Sequence, residues 1–77
     1  MINKKTLGSF IQDKRKEKKV TQHIVSEVTG LSRNYISDIE NGRYMPSVET
    51  LLKIAIFLDI DLNLLKMTEI QVKEVWK

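Results

Sequence analysis

The side chains of this chain that could perform acid–base or nucleophilic chemistry are few and poorly placed for it. The only histidine, His23, has no nucleophile paired with it. Asp59 and Asp61 resemble a carboxylate pair, but helix-capping and loop roles account for both. The sequence contains no cysteine, which excludes disulfides and cysteine-based zinc sites. We therefore expect neither an enzyme nor a metal or cofactor site.

Basic side chains are the second candidate for chemistry, because they attract phosphate groups. The first 21 residues carry seven Lys or Arg side chains against Asp13 and Glu17, whereas the net charge of the whole chain is +3. The surplus is concentrated in residues 14–19, which read Lys-Arg-Lys-Glu-Lys-Lys. Such a run is either a solvated helix face or a phosphate-facing patch. Its position relative to a functional motif distinguishes the two alternatives.

Size and composition limit the architecture that can present these residues. The chain has 77 residues, of which 42% are hydrophobic and 30% charged, typical of one soluble globular domain. No targeting or membrane-spanning segment is visible, so a cytoplasmic location is expected. This length leaves no room for a separate ligand-binding domain, and no small-molecule ligand is evident.

Hydrophobic spacing and capping residues predict an all-α fold with five short helices. The first begins near the N-cap Thr6 and runs to about Lys18. The second follows the N-cap Thr21 and stops at Gly30, and the third covers Arg33–Glu40 after the N-cap Ser32. The fourth covers about Val48–Leu58 after Ser47, and Asp61 caps a short fifth. The expected inner face of the fourth helix is Val48, Leu51, Leu52, Ala55 and Leu58.

The second and third predicted helices are joined by a three-residue turn containing glycine, as in a helix-turn-helix. The residues around them resemble the Cro/Xre-type (lambda-repressor-like) helix-turn-helix family over about residues 6–65. The resemblance rests on Val20-Thr21-Gln22, on the run from Thr29-Gly30-Leu31-Ser32 to Glu40-Asn41-Gly42-Arg43, and on Pro46-Ser47-Val48-Glu49-Thr50-Leu51-Leu52. It implies a compact five-helix bundle that binds double-stranded operator DNA, usually as a dimer.

The resemblance places the third helix in the major groove, which is wide enough to admit it. Arg33 and Asn34 are its first exposed positions; arginine pairs with guanine and asparagine with adenine. Tyr35 and Ser37 are also expected to face the groove, although Tyr35 could instead pack against its own helix. Asp38 faces the same way and would accept a hydrogen bond from cytosine or contribute nothing. The expected contacts to the DNA backbone are Thr21, Gln22, Ser32, Asn41, Arg43 and Lys19.

Two further roles are implied by the resemblance. Arg15 is expected to pair with Glu40 and to fix the orientation of the third helix, rather than to contact DNA. Lys19 occupies a position that is usually glycine in the family, so we expect a less sharp turn after the first helix. Lys14 stands where an apolar residue is usual, and we expect its stem to be buried with the amine extended.

The end of the chain is ambiguous. We divide the sequence into a DNA-binding domain, residues 1–66, and an extension, residues 67–77. Thr68 and Gln71 resemble a capping box, whereas the alternation of Ile70 and Val72 with polar residues favours a strand. The extension either folds back on the first or fourth helix or pairs with its counterpart in a dimer. The candidate dimer contacts are Ile60, Leu62, Leu65, Ile70, Val72 and Trp76.

The sequence therefore predicts a sequence-specific DNA-binding regulator, most simply a repressor acting as a homodimer on a palindromic operator. The alternative is a protein-interaction module with the same fold, such as an antitoxin that binds a partner toxin. Arg33, Asn34, Gln22 and Arg43 argue against this alternative, because a protein-binding surface has no need of such a polar, groove-facing set.

Overall fold

The computed structural model describes residues 3–61, and this part of the chain is built entirely from α-helices and their connections. The four helices are α1, Lys4–Glu17; α2, Gln22–Thr29; α3, Arg33–Glu40; and α4, Val48–Leu58. The predicted all-α class is confirmed. The predicted fifth helix and the extension lie outside the described residues. Among the helices described, none is long and apolar enough to cross a membrane.

Local capping explains where these helices begin. The side-chain oxygens of Thr21, Ser32 and Ser47 each accept a hydrogen bond from the amide three residues later, at 3.0–3.1 Å. These bonds satisfy amides that have no partner within the helix. Gly30 ends α2 in the left-handed conformation, with φ of 78°. The predicted N-caps of α2, α3 and α4, and the glycine stop of α2, are confirmed.

The first helix begins earlier than its pattern predicts. Its N-cap is Asn3, whose side-chain oxygen accepts a 2.7 Å hydrogen bond from the amide of Thr6. The predicted N-cap Thr6 was therefore wrong, because Asn3 is an equally good capping residue one turn earlier. The prediction of a less sharp turn after α1 was also wrong. Lys19 itself adopts the left-handed conformation, with φ of 62°, in the place where the family usually has glycine.

Nine apolar side chains form one core, eight of them from the four helices and one from the second residue after α4: Leu7, Ile11, Val25, Ile36, Ile39, Ile54, Ala55, Leu58 and Ile60. The helix α3 packs against both α1 and α2, while α4 packs against α2. Gly8 permits the close approach of α1, since a Cβ there would collide with the carbonyl oxygens of Ile39 and Glu40. These contacts hold the last turn of α3, whereas its first two residues, Arg33 and Asn34, are exposed.

The predicted inner face of α4 was partly wrong. Ala55 and Leu58 are buried and Leu51 is half-buried, as expected, but Val48 is 75% and Leu52 45% exposed. Ile54, which the pattern left out, is completely buried. Because α4 is apolar on most of its circumference, its hydrophobic pattern does not specify one face, and packing against α2 selects the buried one.

Candidate nucleic-acid interface

The turn between α2 and α3 is held by hydrogen bonds that fix the angle between the two helices. The hydroxyl of Ser26 donates to the carbonyl oxygen of Leu31 at 2.5 Å. The hydroxyl of Thr29 donates to the carbonyl oxygen of Val25 at 2.7 Å and accepts from the amide of Leu31 at 3.3 Å. With Gly30 in the left-handed conformation, these bonds define a rigid helix-turn-helix.

The first turn of α3 presents Arg33 and Asn34 to solvent. Within residues 3–61 neither side chain has an ion-pair or hydrogen-bond partner that would hold it against the protein, so their donors face outward. Ser37, one turn further along, is half-buried and shares a hydrogen bond with Asn41, whose side-chain nitrogen lies 3.3 Å from its hydroxyl. The outward polar edge of α3 therefore consists chiefly of Arg33 and Asn34.

Tyr35 packs partly against the rest of its own chain. It is half-buried against the core, and its ring lies 6.3 Å from that of Tyr44, with the two planes tilted by 48°. Tilted pairs at this separation are favourable aromatic contacts. Tyr35 thus contributes packing between α3 and the loop that follows it, with only part of its surface directed outward.

A buried polar cluster connects α1, α2 and the end of α3. Arg15 Nε and one terminal nitrogen donate to the two carboxylate oxygens of Glu40, at 2.7 and 3.1 Å. The Glu40 side chain is only 1% exposed, and Gln22 Nε2 donates to its Oε1 at 3.1 Å. Arg15 also donates to the carbonyl oxygen of Val20 at 2.9 Å. The structure therefore brings Arg15, Glu40 and Gln22 together and uses their hydrogen bonds to hold three elements at one point.

Arg43 has an intramolecular partner that the sequence patterns did not identify. Its guanidinium lies 2.9 Å from Asp38 Oδ1, and its backbone amide donates to the Asp38 carbonyl oxygen at 2.8 Å. The acidic residue on the outer side of α3 is thus neutralised by the arginine of the following loop. The sequence offers one signal for this pair. Asp38 and Arg43 are five residues apart, and the chain reverses direction after α3 ends at Glu40, which brings the two side chains together.

The remaining candidates for backbone contact lie at the ends of α2 and α3. Thr21 and Ser32 serve as N-caps, and their exposed hydroxyls stand beside helix-terminal amides. Asn41 donates to the carbonyl oxygen of Ser37 at 2.9 Å. Lys19 is exposed on the turn just before Thr21. Helix N-termini of this kind favour anions, because free amides and the helix dipole point toward them.

The basic run, residues 14–19, divides into paired and unpaired cations. Lys14 lies 3.6 Å from Glu17 and 5.5 Å from the centre of the Phe10 ring, and Lys18 lies 3.2 Å from Asp59. Lys14 is half-buried, in accord with the expected burial of its stem. Among the described residues, Lys16 and Lys19 form no ion pair. The charge available to an external partner is therefore smaller than the sequence count.

Of the candidate dimer contacts, only Ile60 lies within the described residues. It is 8% exposed and belongs to the core of its own chain. Leu62, Leu65, Ile70, Val72 and Trp76 lie outside the described residues. Residues 3–61 also contain no group of three or more His, Asp or Glu side chains that could hold a metal ion.

Comparison with known proteins gives one family and several relatives. Residues 11–65 match the family model described as helix-turn-helix. The chain is 58% identical over 74 residues to the ImmF control region 10 kDa protein of Bacillus phage phi105, covering 96% of this chain and 82% of that protein. It is 42% identical over 69 residues to the immunity repressor protein of the same phage, covering 90% of this chain but only 48% of the repressor.

A third relative is an uncharacterised helix-turn-helix-type transcriptional regulator of Sinorhizobium fredii. It is 40% identical over 55 residues, 71% of each chain. No solved structure matches the chain. Because the family model spans more than half of the chain and includes both α2 and α3, the chain belongs to the Cro/Xre-type helix-turn-helix family of DNA-binding transcriptional regulators.

Proposed function

We propose that this protein is a repressor that binds a palindromic operator as a homodimer, with α3 in the major groove and Arg33 and Asn34 contacting base edges. The observation that carries the proposal is the contrast between the two ends of α3. Its last turn is held by Arg15 and Gln22 through Glu40, while its first two residues, Arg33 and Asn34, are exposed and polar. A helix fixed at one end and exposed at the other can enter a groove without reorganisation.

Base discrimination is assigned mainly to Arg33. A guanidinium can donate two hydrogen bonds to O6 and N7 of guanine, and the side-chain amide of Asn34 can pair with adenine in the same way. Neither side chain would need to break an intramolecular contact before it reaches a base. Ser37 and Tyr35 are assigned secondary contacts, because each already bonds or packs within the protein.

Contacts to the DNA backbone are assigned to Thr21, Gln22, Ser32, Asn41, Arg43 and Lys19, which lie at the ends of α2 and α3 and in the adjoining loops. Gln22 already donates one hydrogen bond to Glu40, and its amide group has a second hydrogen for a phosphate. Such contacts set the register of the protein on the duplex and the salt dependence of binding, whereas base contacts set sequence preference.

The biological role is supported by the two phage relatives, one from an immunity control region and one an immunity repressor. We infer that the chain represses transcription in the cytoplasm of a bacterial host. The chain spans about half the length of the immunity repressor. No role of the rest of that repressor is assigned to this chain. Two-fold symmetry of a homodimer, with contacts through Leu62 and Leu65, would match a palindromic site.

The experiment that tests base readout is selection of bound sequences from random DNA by the wild-type chain and by Arg33→Ala. We expect a palindromic consensus for the wild type, and loss of preference at one guanine per half-site in the variant. The expected loss of affinity for the selected operator is about 1–3 kcal/mol per contact. Filter binding or fluorescence anisotropy at fixed salt concentration measures it.

Lys53→Ala is the matched control, because Lys53 is an exposed cation on α4, outside the proposed interface. It should leave the base preference unchanged. An Arg33→Ala variant with the wild-type consensus would remove Arg33 from base readout. A wild-type chain that selects no sequence, but binds a host protein, would favour the protein-interaction alternative.

A further inference from the structure

An apolar groove crosses α2 and α4 at a place that shares no residue with the proposed DNA contacts. Val28 is 57% and Ile56 78% exposed, and both line the groove together with Phe57. Lys53 and Asp59 supply its polar lining. Single exposed apolar side chains are ordinary, but several that line one groove indicate a contact surface.

A second groove adjoins the first, since Ile56 and Asp59 belong to both. Its other lining residues include Leu52, Ile60 and Asp61. Asp61 is the last residue that the structure describes. The chain therefore continues into residues 62–77 directly from one end of this double groove.

The extension, residues 67–77 and here called the C-terminal segment, carries apolar side chains that suit such a surface. They are Met67, Ile70, Val72, Val75 and Trp76. The five residues between Asp61 and the segment can span about 16 Å, and the segment itself about 16 Å as a helix or about 36 Å extended. The eleven residues of α4 are about 16 Å long. The segment is thus long enough to reach both grooves.

We propose that the C-terminal segment docks in the double groove of its own chain and covers Val28, Ile56 and Phe57. Its own segment is favoured over that of a second copy because it is tethered at the edge of the groove, which gives an effective concentration in the millimolar range. The match to the phage control-region protein leaves at most three residues of this chain outside it, whereas the family model ends at residue 65. The C-terminal segment is therefore shared with that relative although it lies beyond the common family domain.

The test compares two substitutions in the full-length chain, Ile56→Asn and Val48→Asn. Both side chains lie on α4 and are exposed to nearly the same extent in residues 3–61, at 78% and 75%, but Val48 lines neither groove. If the C-terminal segment covers Ile56, only Ile56→Asn removes a buried apolar contact. We expect its melting temperature to fall by about 5 °C or more and that of Val48→Asn to change by less than about 2 °C. Equal changes in both variants would overturn the proposal.

Trp76 gives a second measurement on the same proteins, because it is the only tryptophan in the sequence. In the unmodified chain its emission should be blue-shifted and protected from acrylamide, independently of protein concentration. Ile56→Asn should shift the emission to the red and increase quenching, whereas Val48→Asn should not. A Trp76 that is quenched as in urea, or that is protected but insensitive to Ile56→Asn, would contradict docking in this groove. Protection lost on dilution would show that a second copy supplies the segment.

Discussion

Arg15 and Glu40 form the contact on which the orientation of the DNA-facing helix depends. The two side chains are 11% and 1% exposed, and the guanidinium satisfies both carboxylate oxygens while Gln22 provides a third hydrogen bond. A buried carboxylate without such partners would be costly, because little solvent is available to replace them. The pair therefore holds the last turn of α3 from inside the protein.

Arg15→Ala should consequently reduce stability and DNA affinity together. Leaving the Glu40 carboxylate buried without its cation is expected to cost about 3–5 kcal/mol of unfolding free energy. Chemical denaturation and operator binding under identical conditions measure the two losses. Arg43→Ala is the matched control for stability alone, because the Arg43–Asp38 pair is exposed on the arginine side and should contribute less than about 1 kcal/mol. Lys53→Ala, outside the proposed interface, is the control for operator binding. A stable Arg15→Ala chain that fails to bind DNA would instead make Arg15 a DNA contact.

The helices are short, and the residues at their ends determine where each helix begins and stops. Two N-caps, Thr21 and Ser32, and the left-handed Gly30 set the limits of α2 and α3, whereas the turn between α1 and α2 contains the left-handed Lys19. A non-glycine residue in the left-handed conformation is strained by about 1–2 kcal/mol, since its Cβ approaches the carbonyl oxygen. The residue at this strained position is Lys19, and its positive charge lies just before the N-terminus of α2 in the chain.

Lys19→Gly should separate this strain from the function of the charge. We expect the unfolding free energy to rise by about 1 kcal/mol, because glycine adopts the conformation without strain. If Lys19 contacts a phosphate, the slope of log affinity against log salt concentration should also decrease in magnitude by about one. Thermal unfolding and a salt titration of operator binding provide the two values.

Lys16→Gly is the corresponding control, since Lys16 lies in α1 with helical neighbours on both sides. Glycine there should lower stability by about 1 kcal/mol. A destabilising Lys19→Gly substitution would show that the left-handed turn is not strained. An unchanged salt slope would exclude Lys19 from the phosphate contacts.

The described part of the molecule presents the polar start of α3 and, elsewhere, an apolar double groove at α2 and α4. Both proposed contact surfaces use α2: Gln22 at its N-terminus bonds Glu40 of α3, and Val28 near its C-terminus lines the groove. A chain of 77 residues has little surface to divide among its contacts.

Homodimer binding predicts a dependence on operator spacing. Inserting five base pairs between the half-sites rotates one half-site to the opposite face of the duplex, so both subunits can no longer bind without twisting the DNA. We expect affinity to fall by about tenfold or more, toward that of a single half-site. Mobility-shift assays on the selected operator and the spaced variant measure the change, with a symmetric substitution of flanking DNA as the control. Equal affinity for both spacings would contradict a dimeric mode of binding.

Much of the fold and the outline of the site could be predicted from the amino-acid sequence, because the signals involved act over a few residues. Thr21, Ser32 and Ser47 cap their own helices, Gly30 ends α2, and Ile36 and Ile39 are buried by helical spacing. Arg33 and Asn34 follow an N-cap directly, so their position at the start of α3 is also a local property.

Other features were decided only by how the helices pack. Ile54 rather than Val48 faces the core because α2 selects one side of an almost uniformly apolar helix. Lys18 engages Asp59 because the folded chain brings together charges that are 41 residues apart. Capping and periodicity depend on neighbours along the chain, whereas these contacts depend on distances between helices that no local pattern specifies.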